Sequence, residues 1–241
     1  MAVSQPTRRQ SLLAVGLVAT GGGALGSAAV AEEKPGTAPG QEKKTPAAED
    51  LMREHGVLRR ALLIYEEVEP RIRAGAALDA RPLYDAAMLF RSFGEDYHER
   101  KLEEAYIFPA VRKAGGPAAA YVDVLKAQHD RGREITDYIL ACTKGGSIAS
   151  ARAQPLSRAL ERFVLMYQNH TAREDTIVFP AWKTALSQKR VDELGDRFEE
   201  IETQQFGKDG YEDAVQRVAR IEQAYGLADL SQFTAPPPPT A

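Results

Sequence analysis

The four histidines of this 241-residue chain each fall on a different stretch of helical periodicity. His55 lies four residues after Leu51 and three before Leu58, and His129 stands in the same relation to Leu125 and Gly132. His170 follows Tyr167 by three and precedes Glu174 by four, with Ile177 three further on, while His98 sits beside the stripe of Phe90, Phe93 and Tyr97. Residues three and four apart share one side of a helix, so these imidazoles belong to apolar faces and point inward. One such histidine is ordinarily a hydrogen-bonded core residue. Four of them, with carboxylates alongside, need a compensating charge, and a metal cluster supplies it directly.

The carboxylates sharpen this reading. In His170-Thr-Ala-Arg-Glu174 the imidazole and the carboxylate stand one turn apart on one face and can share a metal. Glu103 takes the corresponding place in an internal repeat, because Glu103-Glu-Ala-Tyr-Ile-Phe-Pro-Ala110 and Glu174-Asp-Thr-Ile-Val-Phe-Pro-Ala181 run in register. Each half is thus a helix pair supplying two histidines and one glutamate. The candidate ligands are His55, His98, Glu103, His129, His170 and Glu174. His98 and Glu103 are five residues apart, which on a regular α-helix turns the two side chains about 140° away from each other. A single-turn π-bulge would restore a common face; otherwise Glu99 or Glu104 replaces Glu103.

Imidazole with carboxylate and no thiolate suits iron, manganese or zinc. Two carboxylates placed to bridge, with histidines from four helices, favour two ions over one, and a pair of irons with open coordination positions can bind dioxygen or peroxide. Zinc would settle for four ligands and a structural role.

The elements that hold these residues follow from the same periodicity. The apolar spacing predicts helices over about 47–73, from near Asp79 to the Gly115-Gly116-Pro117 break, from about Val122 to Gly145-Gly146, and from about Gln154-Pro155 to 185. Short Gly-containing turns make neighbours antiparallel, so the expected fold is all-α, an up-down-up-down four-helix bundle over 47–185. Two further amphipathic helices, about 188–205 and 211–226, form an extension over 186–231, and the Pro-rich 232–241 is read as a disordered tail. Pro109 and Pro180 are expected to bend their helices at matching points.

The start of the chain reads as an address. Arg8-Arg9 precedes a Gly/Ala-rich apolar run, and Ala29-Val30-Ala31 offers a cleavage pattern, so residues 1–31 are expected to be a twin-arginine signal peptide, followed by a disordered linker over 32–46. This places the mature protein in the periplasm or elsewhere outside the cytoplasm, free of the membrane once cleaved. Composition fits one sizeable core, with 44% apolar and 27% charged residues. A net charge of −3 with no basic stripe argues against nucleic acid, and the single Cys142 excludes an internal disulfide and any multi-cysteine cluster.

The segments Glu54-His55-Gly, His98…Glu103-Glu104-x-x-Ile-Phe-Pro, His129 and His170-x3-Glu174-Asp-x-x-Val-Phe-Pro resemble the hemerythrin family, specifically bacterial hemerythrin-like domains with His-His-Glu cation-binding repeats. The resemblance implies a non-haem, oxo- or hydroxo-bridged di-iron centre. It also implies a ligand such as dioxygen, nitric oxide or peroxide, in binding, sensing or peroxide handling; an iron- or zinc-storing module without redox turnover is the alternative. Oxygen carriers of this family use five histidines, and four here point away from simple carriage. No nucleophile–base pair or phosphate loop marks an organic substrate, and Tyr65, Tyr97, Tyr106 and Tyr167 read as core.

Overall fold

Good helix formers, interrupted by glycine and proline at a few points, make six helical rods, and no strand forms among the described residues. The computed structural model describes residues 45–239. The expected signal peptide and all but the last two residues of the expected linker lie outside the described residues, as do the last two residues of the tail.

Rod α1 (Ala47–Arg73) carries Leu51, Leu58, Leu62 and Tyr65 on its buried side with His55 among them. Rod α2 spans 81–114, α3 is Val122–Thr143, α4 spans 150–185, α5 is Gln188–Phe206 and α6 is Gly210–Tyr225. The turns bear left-handed glycines, among them Gly75 after α1 and Gly115 and Gly116 between α2 and α3, a conformation that costs glycine nothing. Rod α1 packs along α4 and α2 along α3, while α5 and α6 lie against α1 and α2. A ring of Tyr65, Phe90, Phe163 and Tyr167, with neighbouring centroids 4.6–6.4 Å apart, fills the core on one side of the histidines.

Two rods depart from plain α geometry. Rod α2 runs as an α-helix over Arg81–Leu89, as a π-helix over Phe90–Ile107 and again as an α-helix over Phe108–Ala114. Rod α4 does the same on a smaller scale, with a π segment over Glu174–Val178 between Ser150–Arg173 and Phe179–Ala185. The expected single bulge in α2 is therefore a π stretch of 18 residues. The widened turn brings Glu95, His98, Glu99 and Glu103 inward together, and α3 meets two of them with Thr136 and Arg133. Pro109 and Pro180 each stand second in the resumed α segment, where the hydrogen-bond ladder is already changing register and a missing N–H costs least.

Rod α4 begins at Ser150, sooner than the Gln154-Pro155 boundary suggests, and takes Pro155 into its second turn at the cost of one hydrogen bond. The chain past α6 makes a short 3-10 turn, Leu230–Phe233, and no regular structure from 234 to 239. Among the described residues, no helix is long and apolar enough to cross a membrane.

Candidate metal centre

Rods α1 to α4 each send one histidine to a common buried point. His55, His98, His129 and His170 are all buried, as are Glu103 and Glu174. The rings pair off: the Nε2 atoms of His55 and His98 stand 3.0 Å apart, and those of His129 and His170 stand 3.1 Å apart. The two carboxylates span these pairs. Glu103 turns Oε1 to His98 Nε2 and Oε2 to His129 Nε2, both at 3.3 Å. Glu174 holds Oε2 at 3.0 Å from His170 Nε2 and 3.6 Å from His55 Nε2, with Oε1 at 3.9 Å from His129. The π geometry of α2, with its i→i+5 ladder, is what brings Glu103 onto the His98 side.

The outer nitrogens are held as carefully as the inner ones. His55 Nδ1 lies 2.7 Å from Asp175 and His129 Nδ1 lies 3.1 Å from Glu104. His98 Nδ1 meets Glu54, and His170 Nδ1 lies 2.9 Å from the Gln128 side-chain oxygen. All four partners present oxygen acceptors, so each Nδ1–H donates outward and leaves the Nε2 lone pair facing the centre. The rule is symmetric across the duplication. The residue before the first histidine of each half, Glu54 or Gln128, holds the second histidine of that half. The acid after each central glutamate, Glu104 or Asp175, holds the first histidine of the other half. Phe108 and Phe179 extend the pattern, stacking on His129 and His55 at 5.3 Å.

Glu99 and Glu104, the alternatives to Glu103, stand outside this centre. Glu104 meets the outer nitrogen of His129 and an Arg133 guanidinium. Glu99 accepts from Tyr167 Oη at 2.7 Å and from Arg133 at 3.1 Å. Tyr167 reaches Glu99 because Gly132 leaves room: a methyl group there would overlap the tyrosine hydroxyl. Tyr97 likewise donates to Glu54 at 3.1 Å, so two of the four tyrosines read as core also donate to buried glutamates, and Glu54 is itself the partner of His98.

Electrostatically the centre calls for positive charge. All four oxygens of Glu103 and Glu174 are buried without a hydrogen-bond partner, a rare condition for carboxylates. Burial, with Glu103 beside it, pushes Glu174 well up. Burial works against charge on His129, but Glu99, Glu103 and Glu104 win and lift it to about 10. His98 is likewise raised, by Glu103 and Glu54 against burial. His170 goes the other way, down to about 3, through burial and the neighbouring His129 cation. Protons are thus drawn into the place that cations would fill. Converging Nε2 atoms and partnerless carboxylate oxygens, with no thiolate, fit iron, zinc or manganese. The six residues expected from the sequence meet here, whereas the supporting roles of Glu54, Gln128, Glu104 and Asp175 carry no helical-face signal, although the repeat displays both acidic pairs in register.

Comparison with known proteins agrees with this geometry. Residues 47–182 match the model of the hemerythrin HHE cation-binding domain, and the chain belongs to that family. Uncharacterized proteins of Mycobacterium bovis and Mycobacterium tuberculosis are 41% identical over 235 residues, covering 94% of this chain and 90% of each relative. No solved structure matches.

Proposed function

We propose that this is an exported, non-haem di-iron protein in which the four histidine-bearing rods form an up-down-up-down bundle and α5 and α6 form an extension. His55 and His98 would hold one iron, His129 and His170 the other, and Glu103 and Glu174 would bridge them. One observation carries this reading: each central carboxylate faces both histidine pairs, and its oxygens have no other partner. When bound, such an iron pair supplies redox chemistry and open positions for dioxygen, peroxide or nitric oxide. The protein's own part is to hold the imidazoles in one tautomer through Asp175, Glu54, Glu104 and Gln128, and to keep bulk water out with Phe108, Phe179 and the aromatic ring.

The paired arginines at positions 8 and 9 support export by the twin-arginine route, which carries folded proteins with their cofactors in place. Loading before export would spare iron the competition from copper and zinc outside the cytoplasm. The test is metal analysis of the purified chain with an optical spectrum before and after oxygen or peroxide. Two irons per chain and an oxygen-dependent absorption band are expected; less than about one ion per chain, or metal without any spectral response, would overturn the reading.

A further inference from the structure

The duplication makes the two halves comparable position by position, and they differ in how the second histidine of each is closed off. In the first half, Tyr97 stands before His98 and is buried under Phe206 of α5, with the ring centroids 5.2 Å apart. Lys101, three past His98, donates to Gln205 of the same rod, and Glu54 behind His98 is a carboxylate. Rod α5 thus covers that half.

Among the described residues the second half has no such cover. Asn169 stands before His170 and is exposed, and Arg173, three past it, donates to Asn169 of its own rod. A cleft of about 190 Å³ opens here, lined by Val124, Leu125, Asn169 and Arg173, with Gln128 and His170 at its floor. Gln128 is partly exposed, and its amide holds His170 through a neutral hydrogen bond, weaker than the one a carboxylate makes.

Resting on the di-iron reading, we propose that this cleft is the entrance for small polar ligands, and that Gln128 is its releasable plug. Peroxide or a small anion would pass between Val124 and Arg173 and displace the Gln128 amide from the outer nitrogen of His170; the freed imidazole would then turn aside and open the way to the centre at the His129–His170 pair, not the His55–His98 pair. Arg173 at the mouth favours anions, and the uncharged Gln128 can leave His170 where Glu54 cannot leave His98.

Two measurements test it. In metal-free protein, diethyl pyrocarbonate should modify His170, read by peptide mass, and Val124→Trp should slow that modification at least about tenfold. In the two-iron protein, azide association followed optically should slow by a similar factor in Val124→Trp, and in Arg173→Glu at low salt. Leu63→Trp, an equally bulky change at a 59% exposed position remote from the cleft, serves as the control and should change neither rate. Unchanged rates in both cleft variants, or equal slowing in the control, would overturn the entrance. A chain that binds fewer than two irons would instead sink the di-iron reading, and the metal-free measurement would still decide the entrance.

Discussion

The two halves of the centre are built from one repeated pattern and finished differently. In the first, His98 rests on Glu54, the long π stretch of α2 supplies Glu103, and α5 lies over the outside. In the second, His170 rests on Gln128, a short π segment begins at Glu174, and the outside is a cleft. The inner arrangement tolerates this because the two halves match in the atoms that face the centre: two Nε2 nitrogens and a shared carboxylate per half. The divergence sits one layer out, where a neutral amide or a carboxylate can both accept from an imidazole N–H. A duplicated site can therefore keep its binding geometry while its halves acquire different access and different basicity.

The largest expected effect strikes what the halves share. Glu103→Gln should lower metal affinity by more than about a hundredfold, since even removing an outer partner costs up to that much. Chelator competition should show both ions leaving together; loss of one ion with the other retained tightly would mean that Glu103 serves a single half.

Glycine comes next. Gly132→Ala should destabilise the chain by about 1–3 kcal/mol, because the added methyl drives Tyr167 off Glu99, whereas Gly56→Ala, with open space around it, should stabilise by roughly 0.5–1 kcal/mol. Denaturant melts of the two variants read the difference, and shifts of the same sign would remove Tyr167 from the argument.

A smaller change comes from exchanging the outer partners. Glu54→Gln should weaken metal binding about tenfold, and Gln128→Glu should strengthen it by less than that, the carboxylate making each imidazole the better donor. Two equal effects in the same direction, in a metal titration, would erase the distinction between the halves.

The smallest effect concerns the cover. Burial, working against the hydrogen bond from the Tyr211 amide, pushes Glu202 of α5 up to about 7. A carboxyl whose folded value is raised contributes stability that is complete below its ordinary value near 4.5 and is lost as pH rises through about 7. The melting temperature of the metal-free chain should therefore fall more steeply between about pH 5 and pH 8 in the parent than in Glu202→Gln. Parallel curves would show that Glu202 does not couple the cover to pH.

Much of the centre was legible without coordinates. Helical spacing alone put His55, His129 and His170 on apolar faces, and the repeated acidic pair with Phe-Pro singled out Glu103 against Glu99 and Glu104. The five-residue step from His98 to Glu103 left two readings, a π distortion or another glutamate in its place, since no α-helix brings those two side chains together. Its length was not legible, because π geometry over 90–107 depends on what α3 offers to Glu95 and Glu99, and such partners are far apart in sequence. The π segment at Glu174 left no such mark, as His170 and Glu174 already stand at α spacing.

By itself the sequence determined which residue types carry the chemistry, which faces they share and that the pattern occurs twice, because helical periodicity is a local property of the chain. Tertiary structure decided the rest: which carboxylate oxygen faces which imidazole, that Glu54, Gln128, Glu104 and Asp175 set the tautomers, and that α5 covers one half and leaves the other open. Apart from the pairs His98–Glu103 and His170–Glu174 within single rods, those contacts join residues 25 to 120 apart in the chain and are fixed only when the rods pack. Periodicity says which way a side chain points, and packing alone says what it meets.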